Sequence, residues 1–159
     1  MTDPMDALSG LQQALDTKVV QMRACELFPN MVVLLDHPNG TLRFTYAQVV
    51  RGRVHAIALF VKAGFVEGTP CFQTGYAVAI DQRNGGLGTQ IVKQGLAELQ
   101  NGMSRTPIKE FFVEAIVSTE NTASNKIAAK ILSQLPISCK DEFTNEPALQ
   151  YLRKVFCNA

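Results

Sequence analysis

The chain has 159 residues, 47% hydrophobic and 18% charged, which suits one folded domain over residues 1–159 with a substantial core and sets aside disorder and repeat architectures. Fifteen basic residues against fourteen acidic ones leave a net charge of +1, so the bulk electrostatics call for neither nucleic acid nor an anionic membrane as partner. The N-terminus lacks a basic segment before a hydrophobic run, and no stretch approaches a membrane span in length, so the expected location is cytoplasmic.

Leu8, Leu11, Leu15, Val19, Met22 and Leu27 recur at three- and four-residue steps, which predicts one or two helices over residues 6–27, before Pro29. Residues 31–36 read as a strand, and the Asn39-Gly40 turn joins them to a second strand in TLRFTYAQVV, making a hairpin. After Arg51-Gly52 the run 53–61 is a third strand, residues 64–70 a loop, and residues 71–80 a strand that enters a glycine-rich turn. Cys25, Cys71, Cys139 and Cys157 are dispersed, with no CxxC pair and only His37 and His55 to join them, so free thiols and no metal site are expected.

The segment GYAVAIDQRNGGLGTQIVKQGLAEL, residues 75–99, carries the most chemical information. Tyr76, Val78 and Ile80 alternate as in a strand, Gly85, Gly86 and Gly88 clear side chains from the turn, and Ile91, Val92, Leu96 and Leu99 recur at helical spacing. Amides exposed at a helix start attract anions, and glycines let a pyrophosphate approach the backbone closely. A tight turn without ligand has the same composition. Gly88 is followed by Thr89 and Gln90 rather than a Lys and a Ser or Thr, so a Walker-type loop lacks its cation. A dinucleotide fingerprint starting at Gly86 would want a small residue where Ile91 stands.

Farther on, a strand of about ten residues from Ile108 leads into Asn121-Thr122-Ala123-Ser124. A helix follows, with Ala123, Ile127, Ala128, Ile131 and Leu135 on one face, and Pro136 ends it. ISCKDEF reads as a further strand, and ALQYLRKVF as a last strand or a short helix.

The spacing Arg83-x-x-Gly86-x-Gly88, with Asn121 and Ser124 in an Asn-x-x-Ser pattern, resembles the coenzyme A signature of the GNAT superfamily of N-acetyltransferases. The match covers roughly residues 42–135. The resemblance implies a mixed α/β fold: a mostly antiparallel central sheet flanked by helices, with a cofactor cleft where two central strands splay apart. It implies acetyl-CoA as acetyl donor and a primary amine as acceptor, joined by direct attack in a ternary complex, and homodimers are common in the family. Main-chain atoms of Val78 and Ile80 would meet the pantetheine arm, with the Val78 N–H as oxyanion donor. The amides of Arg83, Asn84, Gly85, Gly86, Leu87, Gly88 and Thr89 would hold the pyrophosphate, and Asn121 and Ser124 would add contacts to the cofactor. Asn121 is also a helix cap in any reading.

Glu114 is the candidate base, because it shares a strand face with Phe112 and Ile116 and would drain the amine's proton; a structurally hydrogen-bonded strand glutamate reads the same way. Asp141, Glu142 and Glu146 would favour a cationic acceptor or form an exposed acidic loop. Two departures stand out. The family's tyrosine acid, seven residues past the motif asparagine, is Ala128 here, which leaves water, Ser124 or Tyr151 as substitutes. The family's opening strand is either missing or supplied by residues 31–36. An acyl-CoA-binding domain without turnover, and more weakly a nucleotide-binding domain, are the alternatives.

Overall fold

The computed structural model describes residues 3–157. Helix α1 (Pro4–Asp16) starts at Asp3, whose carboxylate accepts the Met5 N–H at 2.8 Å, with Pro4 in the first turn. It stops well short of residue 27 because Thr17 ends it and Lys18 turns the chain at φ 57°, leaving Val19 three-quarters exposed. The helical pattern over 6–27 is therefore half helix, and the two-residue strand β1 (Arg23–Ala24) lies where a second helix could have been.

Strands β2 (Met31–Asp36), β3 (Arg43–Val50), β4 (Arg53–Val66) and β5 (Thr69–Val78) form an antiparallel meander. Arg51-Gly52 and Glu67-Gly68 each hold two consecutive positive φ angles, the geometry of tight two-residue hairpin turns. The expected loop over 64–70 is accordingly much shorter. Both strands run on to the turn, and a register irregularity between Lys62 and Phe65 absorbs the extra residues. At its other end β5 stops at Val78, and Ile80 begins a short 3-10 turn with its side chain 76% exposed, so Ile80 is not a strand residue.

Helix α2 (Leu87–Met103), β6 (Glu110–Ser118), α3 (Thr122–Ile131), β7 (Ile137–Lys140) and β8 (Pro147–Phe156) complete the chain. The segment left open between helix and strand is β8, which pairs with β6 from Glu110–Phe156 to Ser118–Ala148. The described residues form an eight-stranded sheet in the order β1-β2-β3-β4-β5-β6-β8-β7, and residues 31–36 supply the strand near its edge. Helices α2 and α3 cover one face over Tyr46, Phe60, Phe72 and Phe111; Leu8 and Leu11 of α1 cover the other over Ala47, Ile57, Leu59 and Ala77. No helix among the described residues is long and apolar enough to cross a bilayer.

Among the described residues only β5 and β6 run parallel, and they pair at Cys71–Phe112, Phe72–Val113 and Gln73–Glu114. Past that point β5 keeps its bonds to β4 and β6 its bonds to β8, so the two strands part. The segments that leave them, α2 and α3, begin on either side of the gap.

Candidate functional site

Three hollows follow this gap. The first, about 460 Å³, lies at the glycine turn and is lined by Val78, Arg83, Asn84, Gly86, Leu87, Gly88 and Thr89, with Asn121 and Ser124 across from them. The second, about 340 Å³, sits between the parted strands, walled by Thr74, Gly75 and Tyr76 on β5, by residues 115–118 of β6, and by Val92 and Ala128 from the helices. The third, about 500 Å³, is bounded by Gln73, Glu114, Ile116, Gln150 and residues 139–143. The first two share Met5, Tyr76, Asn121, Ser124 and Ile127; the second and third share Ile116, Asp3 and Pro4.

The polarity of the gap comes from the backbone. Ala79 N–H donates to His55 O at 2.9 Å and Ala56 faces Val78, so by antiparallel alternation the N–H and C=O of Tyr76 and Val78 point away from β4 and into the cleft. At the turn, Gly86 is the N-cap of α2 at φ 78° and supplies no side-chain acceptor, while Gln90 N–H is already taken by Gly86 O. The amides of Leu87, Gly88 and Thr89 are the helix-start donors that a bound anion can satisfy. Asn84, at φ 68°, shares the bend. Gly85 is part of the turn without lining the hollow.

Several side chains are already committed. Arg83 bends back, its Nε donating to Val78 O at 3.2 Å and its terminal nitrogen lying 3.5 Å from Met5 Sδ, so it ties the turn to β5 and α1. Asn121 caps α3, accepting the Ser124 N–H at 3.1 Å, and the Ser124 hydroxyl meets the Tyr76 hydroxyl at 3.1 Å across the cleft. Glu114, on the α1 side of β6, accepts from Gln150 Nε2 at 2.6 Å, which orients its carboxylate in the third hollow. Burial, with the Glu114 charge adding to it, pushes the neighbouring Cys71 thiol up to about 11.

Two expectations about polar groups change. Tyr151 is 2% exposed, its hydroxyl donates to Asn125 Oδ1 at 2.7 Å, and it lines none of the three hollows, so it is no substitute for the tyrosine missing at Ala128. Burial also pushes its phenol upward. Asp141 accepts the Phe143 and Thr144 N–H groups at 2.8 and 3.0 Å, bonds that hold its carboxyl below the usual range, so it builds its loop. Glu146 lies outside the hollow, and Glu142 lines it.

No protein-family model matches the sequence, and no curated protein does. Solved structures do match. An acetyltransferase of the GNAT family from Streptococcus pneumoniae superposes on 97% of this chain and 96% of its own, with a TM-score of 0.52 at 12% identity. The fold is that of the GNAT acetyltransferases. A ribosomal-protein-alanine N-acetyltransferase from Brucella melitensis matches 74% of this chain and 70% of its own (TM-score 0.51, 16% identity). Mycobacterium smegmatis RimJ in complex with CoA-disulfide matches 72% and 53% (TM-score 0.50, 18% identity). The chain spans 65%, 63% and 64% of the length of three further matched structures, just under two thirds.

Within this GNAT fold the motif residues Arg83, Asn84, Gly86 to Thr89, Asn121 and Ser124 gather around one hollow, and Glu114 borders the third, which shares wall residues only with the middle one. Ile80 stays outside all three. Sequence reasoning missed Thr74 and Tyr76, whose side chains alternate onto the cleft side of β5, and the start of α1. The strand alternation could have flagged the first two. Nothing local announces that Asp3, Pro4 and Met5 border the cleft, since α1 crosses the sheet to get there.

Proposed function

We propose that this chain is a single-domain N-acetyltransferase that uses acetyl-CoA and transfers its acetyl group to a primary amine. One observation carries the reading: three neighbouring hollows that share wall residues run from the free amides of the glycine turn, past the unpaired Tyr76 and Val78 amides, to the Glu114 carboxylate. The residues present fit the donor. The α2 amides take the pyrophosphate, Val78 and Tyr76 take the arm, and Asn121 and Ser124 close the far wall. Acetyl-CoA supplies an activated acyl thioester.

The protein's own work is orientation and proton handling. Glu114, held by Gln150, accepts the proton that the attacking amine must lose, directly or through a water. The Val78 N–H borders the phosphate-side hollow, so the Tyr76 N–H, two residues deeper, is the better-placed donor to the negative charge that grows on the acyl oxygen. With Ala128 and the committed Tyr151 offering no acid, the departing thiolate takes its proton from water; a reference thiol pKa of about 8.5 makes that tolerable. Glu142 and Glu114 favour a cationic acceptor in the third hollow.

A second reading, acyl-CoA binding without turnover, is favoured by the same Ala128. Calorimetric titration with acetyl-CoA tests the shared part, and Thr89→Glu is the control, because Thr89 lines the phosphate-side hollow in the first turn of α2 and a carboxylate there repels the diphosphate. Saturable binding that this carboxylate abolishes supports the cofactor site; no binding by folded protein removes both readings. For the catalytic part, Glu114→Gln lowers turnover of an accepted amine by about 10²–10³-fold with acetyl-CoA affinity unchanged. Absence of turnover on any amine, in a protein that binds acetyl-CoA, selects the second reading.

A further inference from the structure

Thr74 is the first β5 residue past the last β5–β6 pair, and it lines the middle hollow on the α2 and α3 side. It is 7% exposed, and its Oγ1 is the one buried side-chain polar atom among the described residues that finds no hydrogen-bond partner. A buried hydroxyl left unpaired bears its full desolvation cost, and such groups are rare enough to need a reason. Strand propensity is no reason. Valine has nearly the same shape, equal liking for a strand and no polar atom to strand in the core. The surroundings would suit it, for Val92, Ala115, Val117, Ala128 and Ile131 are the apolar neighbours around the same hollow. One staggered step about χ1 carries the hydroxyl into the position the methyl held, so the hydroxyl can turn toward whatever enters.

The reach of the donor identifies what enters. This step rests on the acetyl-CoA reading above. About twelve bonds separate the diphosphate of coenzyme A from its sulfur, the length of about four extended residues, or about 13 Å. From Val78, which lines the phosphate-side hollow, four residues back along β5 is Thr74. We propose that the Thr74 hydroxyl is the hydrogen-bond partner of the sulfur end of the coenzyme A arm, a positioning contact at the point where the strands part. Its unpaired state is completed by the ligand.

The test compares coenzyme A with adenosine 3′,5′-diphosphate, which keeps the nucleotide end and lacks the arm, by calorimetry on the full chain. Thr74→Val weakens coenzyme A about five- to tenfold, the loss of one hydrogen bond, and leaves the nucleotide's affinity unchanged. Thr74→Ser keeps wild-type affinity for both. The Tm of Thr74→Val stays level or rises by about 2–4 °C, because the free protein sheds an unpaired group. Unchanged coenzyme A affinity in Thr74→Val overturns the proposal, as does an equal loss for both ligands or a fall in Tm, which marks a structural hydroxyl. Wild-type protein that binds the nucleotide and coenzyme A equally also overturns it, while wild-type protein that binds neither removes the acetyl-CoA reading and this contact with it.

Discussion

Gly86 and Gly88 stand two residues apart in one motif and are glycine for different reasons. Gly86 adopts φ 78° with open space around its missing Cβ, so its demand is conformational. Gly88 has helical geometry, but a Cβ there would come within 2.8 Å of the Tyr76 ring and 3.2 Å of Ile127. Gly86→Ala should therefore cost about 1–2 kcal/mol whatever its neighbours. Gly88→Ala should cost about 1–3 kcal/mol, and Tyr76→Val should recover most of it. Denaturant melts of the three single variants and of the Gly88→Ala/Tyr76→Val and Gly86→Ala/Tyr76→Val pairs check this: a coupling of about 1 kcal/mol or more is expected for the Gly88 pair and none for the Gly86 pair.

Between elements, one buried carboxylate fixes how α2 meets the start of the sheet. Glu98 is 6% exposed, and its Oε2 accepts the Leu27 and Phe28 N–H groups at 2.9 and 2.7 Å, holding the loop before β2 against the helix. Gly95, one turn earlier, lets that helix sit close, since a Cβ would stand 3.3 Å from Phe60. Glu98→Ala leaves two amides without their acceptor and should destabilise the protein by about 2–4 kcal/mol in urea unfolding. The loss belongs to the α2–β2 contact, so the affinity of folded protein for acetyl-CoA should be unchanged. Helix α1 is pinned in the same manner on the opposite face, Gln12 accepting Val54 N–H at 2.8 Å and donating to Gly52 O at 2.9 Å. That pin sets the angle at which Asp3, Pro4 and Met5 arrive at the cleft.

Across the whole molecule, stability should turn on the alkaline side. Burial, with Glu98 adding to it, pushes the Cys25 thiol from 9.0 up to about 12, and Cys71 rises to about 11. A group whose folded pKa lies above its unfolded one adds stability that is whole below the unfolded value and disappears as pH climbs to the folded one. Thermal melts should thus be level from pH 7 to 9 and fall between pH 9 and about 12, less steeply in Cys25→Ala/Cys71→Ala. An equal slope in that variant would reject the assignment. Much of this molecule was legible beforehand. The glycine turn opening α2, the Asn121 cap, the hairpin at Asn39-Gly40 and the alternation that sends Glu114 opposite Val113 are local effects, determined by φ preferences, caps and periodicity within a few residues. The same locality misled over residues 17–27, where helical spacing continued after the chain had turned, and over residues 64–70, where pairing carried two strands through an expected loop. Only the tertiary structure decided where β5 and β6 part, that Tyr151 is spent on Asn125, that Thr74 is left without a partner and that α1 borders the cleft. Each of these depends on groups dozens of residues apart competing for the same hydrogen bonds and the same space, which no local pattern encodes.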